Sequence, residues 1–244
     1  MSIQHPIVKL NVLARDAANA AEVSAAAGGR VYIGVMVKHF ATNDEAAGRV
    51  RELQQAGIPV SVGLGGGDPA MWSRVVDVAA QTRPEHVNQV FPAAGYTLGA
   101  LRAAGSGHTL VNALVTPSGT PGRVRIATGP QSGAYREDLT CDAAAAMLAE
   151  LGVHSVKLYP IDGTDRLDEV AEMVKASVRQ GIALFEPTGG IDARSIGRIV
   201  EVCAEHGAQT IVPHIYTSII DPATGLTRIS DIEELIAALP AWAR

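Results

Sequence analysis

Short apolar runs alternate with longer segments in which apolar residues recur every three or four positions, along almost the whole chain. Short continuous apolar runs are typical of buried strands, whereas the longer periodicity is typical of amphipathic helices. The alternation therefore predicts eight strand–helix units. The strands are predicted at 9–14, 31–37, 58–64, 86–91, 109–115, 153–159, 182–186 and 210–215.

Polar residues that can cap a helix stand at most of the junctions. Aspartate, asparagine and serine accept hydrogen bonds from the first backbone N–H groups of a helix. Asp16 and Asp68 are predicted to start the first and third helices, and Asn43 or Asp44 the second. Capping boxes are predicted where an acidic residue follows three positions later. These pairs are Asp165 with Asp168 and Ser230 with Glu233.

Eight repeated units with short connections predict a parallel sheet covered by helices. Eight is the strand number of the closed (β/α)8 TIM barrel, and a length of 244 residues suits a single barrel domain over residues 1–244. The alternative is an open, doubly wound sheet, which requires one of the short strands to be spurious. Residues 116–140 break the pattern and predict an ordered insertion, with a β-like piece at 123–127.

Composition limits the classes of partner and the cellular compartment that can be expected. The formal charge is −5 and no Lys/Arg cluster stands out, so a nucleic-acid partner is not expected. No apolar stretch approaches the ~18 residues of a membrane span. The sequence also lacks the pattern of a signal peptide, so a cytoplasmic protein is expected. Cys141 and Cys203 lie in helical patterns and are predicted to be reduced packing residues.

Lys157 stands inside the apolar run that forms the sixth predicted strand, and Pro160 ends that run. Alternate residues of a strand share a face, so Ser155, Lys157 and Tyr159 point the same way. Burial that lowers the pKa of an amine makes it a nucleophile for carbonyl groups. A lysine at a strand end can also reach water or pair with a carboxylate. Lys38, after the second strand, is the other lysine expected at the rim.

The next unit brings polar groups to the same edge. Glu186 ends the seventh strand, and the glycine-rich turn 187–192 precedes a helix expected to start near Asp192. In TIM barrels the loops after strands seven and eight often bind phosphate, so this turn predicts an anion site. It can also be a tight turn without a ligand. His214, after the eighth strand, and Asp162, after the sixth, are expected at the rim.

Five other histidines show no convergent spacing and are predicted to be structural or solvated. They are His5, His86, His108, His154 and His206. No His/Asp/Glu spacing typical of a metal site is present, so neither a metal nor a cofactor is expected. Gly65-Gly66-Gly67 lacks the lysine of a phosphate-binding P-loop and predicts a flexible rim loop.

Four stretches carry a resemblance to a known family. They are Phe91-Pro-Ala-Ala-Gly-Tyr96, Val156-Lys-Leu-Tyr-Pro160, Phe185-Glu-Pro-Thr-Gly-Gly-Ile-Asp192 and Pro213-His-Ile-Tyr-Thr-Ser-Ile-Ile-Asp221. They resemble the 2-dehydro-3-deoxy-6-phosphogluconate aldolases, in particular a divergent bacterial branch sometimes labelled 4-hydroxy-2-oxoglutarate aldolase. The resemblance implies a TIM barrel, a metal-free class I mechanism, and pyruvate plus an aldehyde as products. The better-known branch has a catalytic glutamate within a Glu-x-Thr-x-Arg pattern. The second strand here, 31–38, contains no acid.

The predicted function is a Schiff-base aldolase that cleaves 2-dehydro-3-deoxy-6-phosphogluconate to pyruvate and glyceraldehyde 3-phosphate. Lys157 is predicted to attack the C2 ketone and Glu186 to take the C4 hydroxyl proton, with Glu186 assigned on position alone. Two alternatives stay open on the same fold, a phosphosugar isomerase or epimerase and a non-catalytic barrel that binds a phosphorylated metabolite. A homo-oligomer is expected, as for most soluble assemblies. The residues predicted to bind the substrate and its phosphate are Thr188, Gly189, Gly190, Tyr159 and His214.

Overall fold

The computed structural model describes residues 5–244, and a sheet of parallel strands forms its centre. Every barrel strand pairs with the strand that follows it in the chain. The strands are β1 (Ile7–Val8 and Leu10–Leu13), β2 (Val31–Met36), β3 (Val60–Gly63), β4 (His86–Val90), β5 (Leu110–Pro117), β6 (Ser155–Leu158), β7 (Leu184–Pro187) and β8 (Thr210–Ile211).

The first strand closes the sheet because it pairs on both sides. Its first part, Ile7–Val8, is in register with β8, and its second part, Leu10–Leu13, is in register with β2. A backbone bridge between Asn11 and His214 continues the contact towards the upper end. The predicted TIM barrel is therefore confirmed, and the open sheet is excluded.

In the described part of the chain eight α-helices cover the sheet, and their apolar faces pack against it. They are α1 (Ala17–Ala26), α2 (Asn43–Gln55), α3 (Trp72–Thr82), α4 (Ala94–Ala103), α5 (Cys141–Leu151), α6 (Leu167–Arg179), α7 (Ile196–Glu205) and α8 (Ile229–Ala238). Cys141 and Cys203 are buried and unpaired, which confirms their packing role. Among residues 5–244, no helix has the length and apolar character needed to cross a membrane.

Several predicted helix caps are wrong, although the helices exist. The α2 cap is Thr42, which forms a capping box with Glu45 one position earlier than predicted. Neither α6 nor α8 has a side-chain cap. Arg166 precedes α6 and pairs with Asp162 and Glu169 instead. Ion pairs formed by the preceding arginine thus replace the expected capping boxes, since Arg228 likewise pairs with Asp231 before α8.

The insertion after β5 is held to the barrel by a small antiparallel ribbon. Strand β5 extends to Pro117 and pairs with Arg123–Arg125, which pairs in turn with Leu139–Thr140. The predicted β-like piece is present, but it is three residues long. The buried carboxylate of Glu169 accepts a hydrogen bond from the backbone N–H of Gly119 at 2.9 Å. The insertion is therefore anchored to α6 as well as to β5.

Candidate active site

An open cavity lies at the carboxyl ends of the barrel strands, which is the end at which TIM-barrel proteins place their active sites. Lys157 of β6 faces it, together with Tyr159, Thr188 and Tyr216. A glycine-rich wall opposite them is formed by Gly34, Gly63, Gly65, Gly66 and Gly67. The placement of Lys157 and Tyr159 at one opening agrees with the strand alternation seen in the sequence.

The Lys157 amine is held by two acceptors near the floor of this cavity. Its Nζ donates to Asn88 Oδ1 at 3.1 Å and lies 3.2 Å from His214 Nδ1. Burial lowers the pKa of Lys157 to about 8, although the negative charge of Glu186 acts in the opposite direction. An amine with that pKa is substantially neutral near physiological pH, which is the form that attacks a carbonyl carbon.

Glu186 lies beside Lys157 in the sheet but does not face the cavity. Its side chain is fully buried, and its oxygens accept four hydrogen bonds. The donors are His86 Nε2 at 2.9 Å, His214 Nε2 at 2.7 Å, Asn112 Nδ2 at 2.7 Å and Ser155 Oγ. Burial by itself raises the pKa of Glu186, but the two histidines outweigh it and hold the pKa well below the ordinary value.

This geometry does not suit the direct proton transfer predicted for Glu186. A carboxylate has room for about four hydrogen bonds, and here all are used inside the protein. Glu186 is absent from the residues that line the opening. Its position at the end of β7 was predicted correctly, but the geometry leaves it no free oxygen with which to reach a substrate.

His214 connects Glu186 to the cavity. Because a carboxylate only accepts hydrogen bonds, the short contact from Nε2 to Glu186 places the proton on Nε2 and leaves Nδ1 as an acceptor. Burial, followed by the positive charge of Lys157, lowers the pKa of His214 to about 3, so the ring is neutral. The Nδ1 that faces the Lys157 amine also lies 2.7 Å from the hydroxyl of Tyr216.

A second chain of polar side chains completes the floor. Asn88 accepts from Asn112 at 2.8 Å and donates to Ser61 at 2.8 Å. The Ser61 hydroxyl is 2.8 Å from His86 Nδ1 and also accepts from Asn11 at 3.0 Å. Buried polar groups are costly unless satisfied, and here neighbouring strands satisfy one another. The chain fixes Asn88, and Asn88 in turn fixes the lysine amine.

The turn after β7 has two unusual backbone positions. Gly189 and Gly190 have φ values of +104° and +69°, and a Cβ on Gly190 would lie 2.5 Å from the backbone nitrogen of Gly163. Within the described chain, the N–H groups of Gly190 and Ile191 donate to no protein atom. Adjacent free N–H groups in a turn with positive φ are suited to binding an anion.

The helix expected to start near Asp192 begins later, at Ile196. The Asp192 carboxylate accepts hydrogen bonds from the backbone N–H groups of Arg194 and Ser195, at 3.0 and 2.9 Å. Donors at this end are thus already occupied by a negative side chain. The predicted helix start is therefore wrong by four residues, and the two N–H groups of the glycine turn that lack a protein acceptor in the described chain lie before the helix.

Two other lysines, Lys38 from the predicted rim and Lys175 of helix α6, lie away from Lys157. Lys38 lines the same opening as Gly189 and Gly190, where its Nζ pairs with Asp68 at 2.8 Å. Lys175 pairs with Glu172 at 2.8 Å on helix α6. Asp162, expected at the rim, is exposed and pairs with Arg166 at 3.0 Å. Only Lys157 reaches the cavity floor among the three lysines.

The histidines expected to be structural or solvated divide into two groups. His86 is fully buried and donates to Glu186, so its convergence with His214 went undetected in the sequence. His5 and His108 are exposed, and His154 and His206 are partly buried, with His154 accepting from the backbone of Val111. Among residues 5–244, no group of three or more His, Cys, Asp or Glu residues could hold a metal ion.

Tyr216 and the asparagines of β4 and β5 are site residues that the sequence reasoning missed. A usable signal was present, because Asn88 and Asn112 are amides inside otherwise apolar strands. Buried amides need partners and therefore indicate a polar cluster. Tyr216 lies just beyond the predicted eighth strand, in a backbone conformation that is not extended (φ −120°, ψ −82°), so no local pattern marked it.

The fold and the amine-centred cavity define a (β/α)8-barrel protein with its functional groups at the carboxyl end of the sheet. The chain belongs to the KDGP aldolase family, whose family model matches residues 5–223. A 2-dehydro-3-deoxy-phosphogluconate aldolase of Salmonella typhimurium is 43% identical over 235 residues, covering 96% of this chain and 95% of that protein. The protein is thus an aldolase, a lyase, and not the isomerase or the non-catalytic barrel left open by the sequence.

Similar solved structures extend the comparison of the fold. An N-(5'-phosphoribosyl)anthranilate isomerase of Pyrococcus furiosus superposes with a TM-score of 0.57 at 12% identity, covering 95% of this chain and 98% of that chain. The carboxyl transferase domain of Rhizobium etli pyruvate carboxylase, solved with pyruvate, gives 0.56 at 14% identity, covering 99% and 46%. At such low identities these likenesses support the barrel fold alone.

Proposed function

We propose that this aldolase cleaves 2-dehydro-3-deoxy-6-phosphogluconate to pyruvate and glyceraldehyde 3-phosphate through an imine on Lys157. The observation that carries the proposal is the Lys157 amine, which faces the cavity with a pKa lowered to about 8. The name of the Salmonella relative supports the substrate class. Equal release of pyruvate and glyceraldehyde 3-phosphate from this substrate tests it, and turnover without pyruvate would contradict it.

The chemistry needs an amine that can accept and release a carbonyl carbon. Neutral Lys157 attacks the C2 ketone, one water leaves, and a proton taken up from solvent gives a protonated imine, a proton that the final hydrolysis returns. The C3–C4 bond then breaks, its electrons neutralise the imine nitrogen through an enamine, and the C4 hydroxyl loses its proton to become the aldehyde. Protonation at C3 and hydrolysis release pyruvate and restore the amine.

The lowered pKa decides how much of the enzyme is reactive. At pH 7.5 an amine with a pKa near 8 is roughly one-quarter neutral, against about one part in a thousand at the ordinary value. The site therefore raises the reactive fraction by about two orders of magnitude. Asn88 and His214 hold the amine at that place without adding a positive charge to it.

A pH profile follows from this shift. We expect kcat/KM to rise with pH and to level off above about 8, because the free enzyme must lose a proton from Lys157 before attack. The measurement is initial-rate pyruvate release across pH 6 to 9.5 under subsaturating substrate. A rising limb near the ordinary lysine pKa, or a flat profile, would contradict the assignment.

We propose that Thr188, Gly189 and Gly190 hold the substrate phosphate at the outer end of the same opening. The free N–H groups of Gly190 and Ile191 supply donors, and Lys38 supplies a positive charge across the opening. Phosphate bound there would compete with Asp68 for the lysine. Before substrate enters, the ion pair with Asp68 holds the Lys38 amine at the opening.

Replacing Lys38 by methionine tests the phosphate end without disturbing the glycine turn. We expect KM for the phosphorylated substrate to rise roughly tenfold, the low end for a lost hydrogen bond to a charged group, and that for the unphosphorylated analogue to change little. Lys175→Met is the matched control, since it also removes a lysine paired with a carboxylate at 2.8 Å. Equal effects of Lys38→Met on both substrates would remove phosphate from this end of the opening.

We further propose that the chain assembles as a homo-oligomer. Tyr96 of α4 and Met147 and Leu151 of α5 are large apolar side chains that are exposed. The two helices meet where Leu151 approaches Gly95. Exposed apolar groups of this kind support contact between copies. The solution mass from light scattering tests the assembly.

A further inference from the structure

Among the residues with hydroxyl groups that line the cavity, Tyr216 has the most distinctive surroundings. Its ring lines the opening beside Lys157, and the lysine Nζ lies 5.8 Å from the ring centroid. Its hydroxyl contacts His214 Nδ1 at 2.7 Å, and the opposite ring nitrogen of His214 contacts Glu186 at 2.7 Å. The hydroxyl also lies 3.4 Å from Asn11 Oδ1. A hydroxyl, an imidazole and a carboxylate thus stand in line beside the cavity that Tyr216 lines.

The direction of the hydrogen bonds along this line is fixed by the carboxylate. Glu186 only accepts, so His214 Nε2 carries the proton and His214 Nδ1 accepts from the Tyr216 hydroxyl. Burial, followed by the negative charge of Glu186, raises the pKa of Tyr216 above its ordinary value. The phenol therefore keeps its proton at rest and donates it over the shorter contact to His214, while its oxygen keeps lone pairs that can accept a proton from a substrate.

We propose that Tyr216 is the catalytic residue that takes the proton of the substrate C4 hydroxyl, passing its own proton to His214 Nδ1 in the same step. The proposal rests on the imine chemistry of Lys157. The C4 O–H bond breaks and a bond to the Tyr216 oxygen forms, while the Tyr216 proton moves to His214. The proton held on His214 returns through Tyr216 to C3 of the enamine before pyruvate leaves.

Charge balance favours this route. Before cleavage the protonated imine carries a positive charge close to His214, and the charge on Lys157 is one of the causes that keep this histidine neutral. Cleavage turns the imine into a neutral enamine as the C4 proton departs. The positive charge then moves to His214, which already contacts the negative Glu186. The total charge of the buried site stays constant through the step.

The other hydroxyls at the opening fit this role less well. Ser61 makes a similar contact with His86, but it is 1% exposed and already accepts from Asn11 and Asn88, so both lone pairs are used. Thr188 donates to the backbone oxygen of Glu186 and contacts no base. Tyr159 has no hydrogen bond to the histidines within the described chain. Tyr216 alone combines a free oxygen with a proton acceptor behind it.

The test is Tyr216→Phe, assayed for imine formation and proton transfer separately. Borohydride with pyruvate should still give the adduct on Lys157, because that amine is held by Asn88. Cleavage, and deuterium exchange at C3 of pyruvate in D2O, should each fall by about 10²–10⁴, the usual size of a general acid–base contribution. Tyr32→Phe is the control for loss of a buried tyrosine hydroxyl, since Tyr32 stacks on His86 at 5.3 Å.

The outcomes separate the two proposals. Retained cleavage within tenfold of the parent protein would overturn the role of Tyr216 while leaving the imine intact. Loss of the borohydride adduct together with cleavage would show that Tyr216 only positions Lys157, which also overturns the proposal. Absence of an adduct in the unmodified protein would overturn the imine itself and, with it, the proton route through Tyr216.

Discussion

Lys157→Arg is expected to abolish cleavage and to leave the barrel folded. Guanidinium keeps its proton in proteins, so arginine preserves the positive charge but cannot form an imine. The open cavity beside Nζ gives the longer side chain room. The cleavage rate should fall to that of a protein that lacks the nucleophilic amine. The circular dichroism spectrum and the urea midpoint of unfolding should stay near those of the parent protein. Pyruvate release in a coupled assay is the measurement.

Two further variants make this result interpretable. Lys157→Met has similar length and no charge, and it should also be inactive, which separates loss of the amine from misplacement of a larger group. Lys175→Arg changes a lysine on helix α6 and should cleave like the parent protein. Cleavage by Lys157→Arg at more than a few per cent of the parent rate would assign the nucleophile elsewhere, with Lys38 the next lysine to test.

Glu186→Gln is expected to lower kcat by about 10²–10⁴ although Glu186 does not line the cavity. The carboxylate fixes the proton of His214 on Nε2, and an amide can donate to that nitrogen and reverse the tautomer. His214 then no longer accepts at Nδ1. In hydroxyl–imidazole–carboxylate triads, the wrong tautomer costs up to about 10⁴. Steady-state kcat measures the loss.

The pH profile of Glu186→Gln gives an independent readout. The negative charge of Glu186 raises the pKa of Lys157, so its removal should move the rising limb of kcat/KM to lower pH. The amide also mismatches two of the four donors, at about 1–3 kcal/mol for each buried group left unpaired. Glu169→Gln is the control, because Glu169 is another buried glutamate with protein partners. An unshifted limb with normal kcat would make Glu186 purely structural.

The barrel could be predicted from the sequence because its signals are local and repeated. Each apolar run and each helical stripe is defined by residues that are close together in the chain, and every barrel strand begins within two residues of its predicted start. Caps were less predictable, since Arg166 and Arg228 form ion pairs where acidic and hydroxyl residues suggested capping boxes. Whether an acidic side chain caps a helix or pairs with an arginine depends on the folded structure, and the local sequence does not decide it.

The site was predictable in part, and the division follows from how its residues are brought together. Lys157 was found because one lysine in an apolar strand is a local anomaly. The partners of Glu186 come from β4, β5, β6 and the segment after β8, and only closure of the barrel places them around one carboxylate. Their spacing in the chain carries no such information. The structure therefore places Glu186 below the cavity, behind His214, and among the residues that line the cavity is Tyr216, which the sequence did not single out.

Borohydride reduction in the presence of pyruvate tests the central claim most directly. The imine is the one intermediate that an isomerase or a binding protein would not form, and reduction makes it permanent. We predict a single three-carbon adduct per chain in the intact mass, placed on Lys157 by peptide mapping and absent from Lys157→Arg. An adduct on Lys38, or no adduct in a protein that still releases pyruvate, would contradict the account.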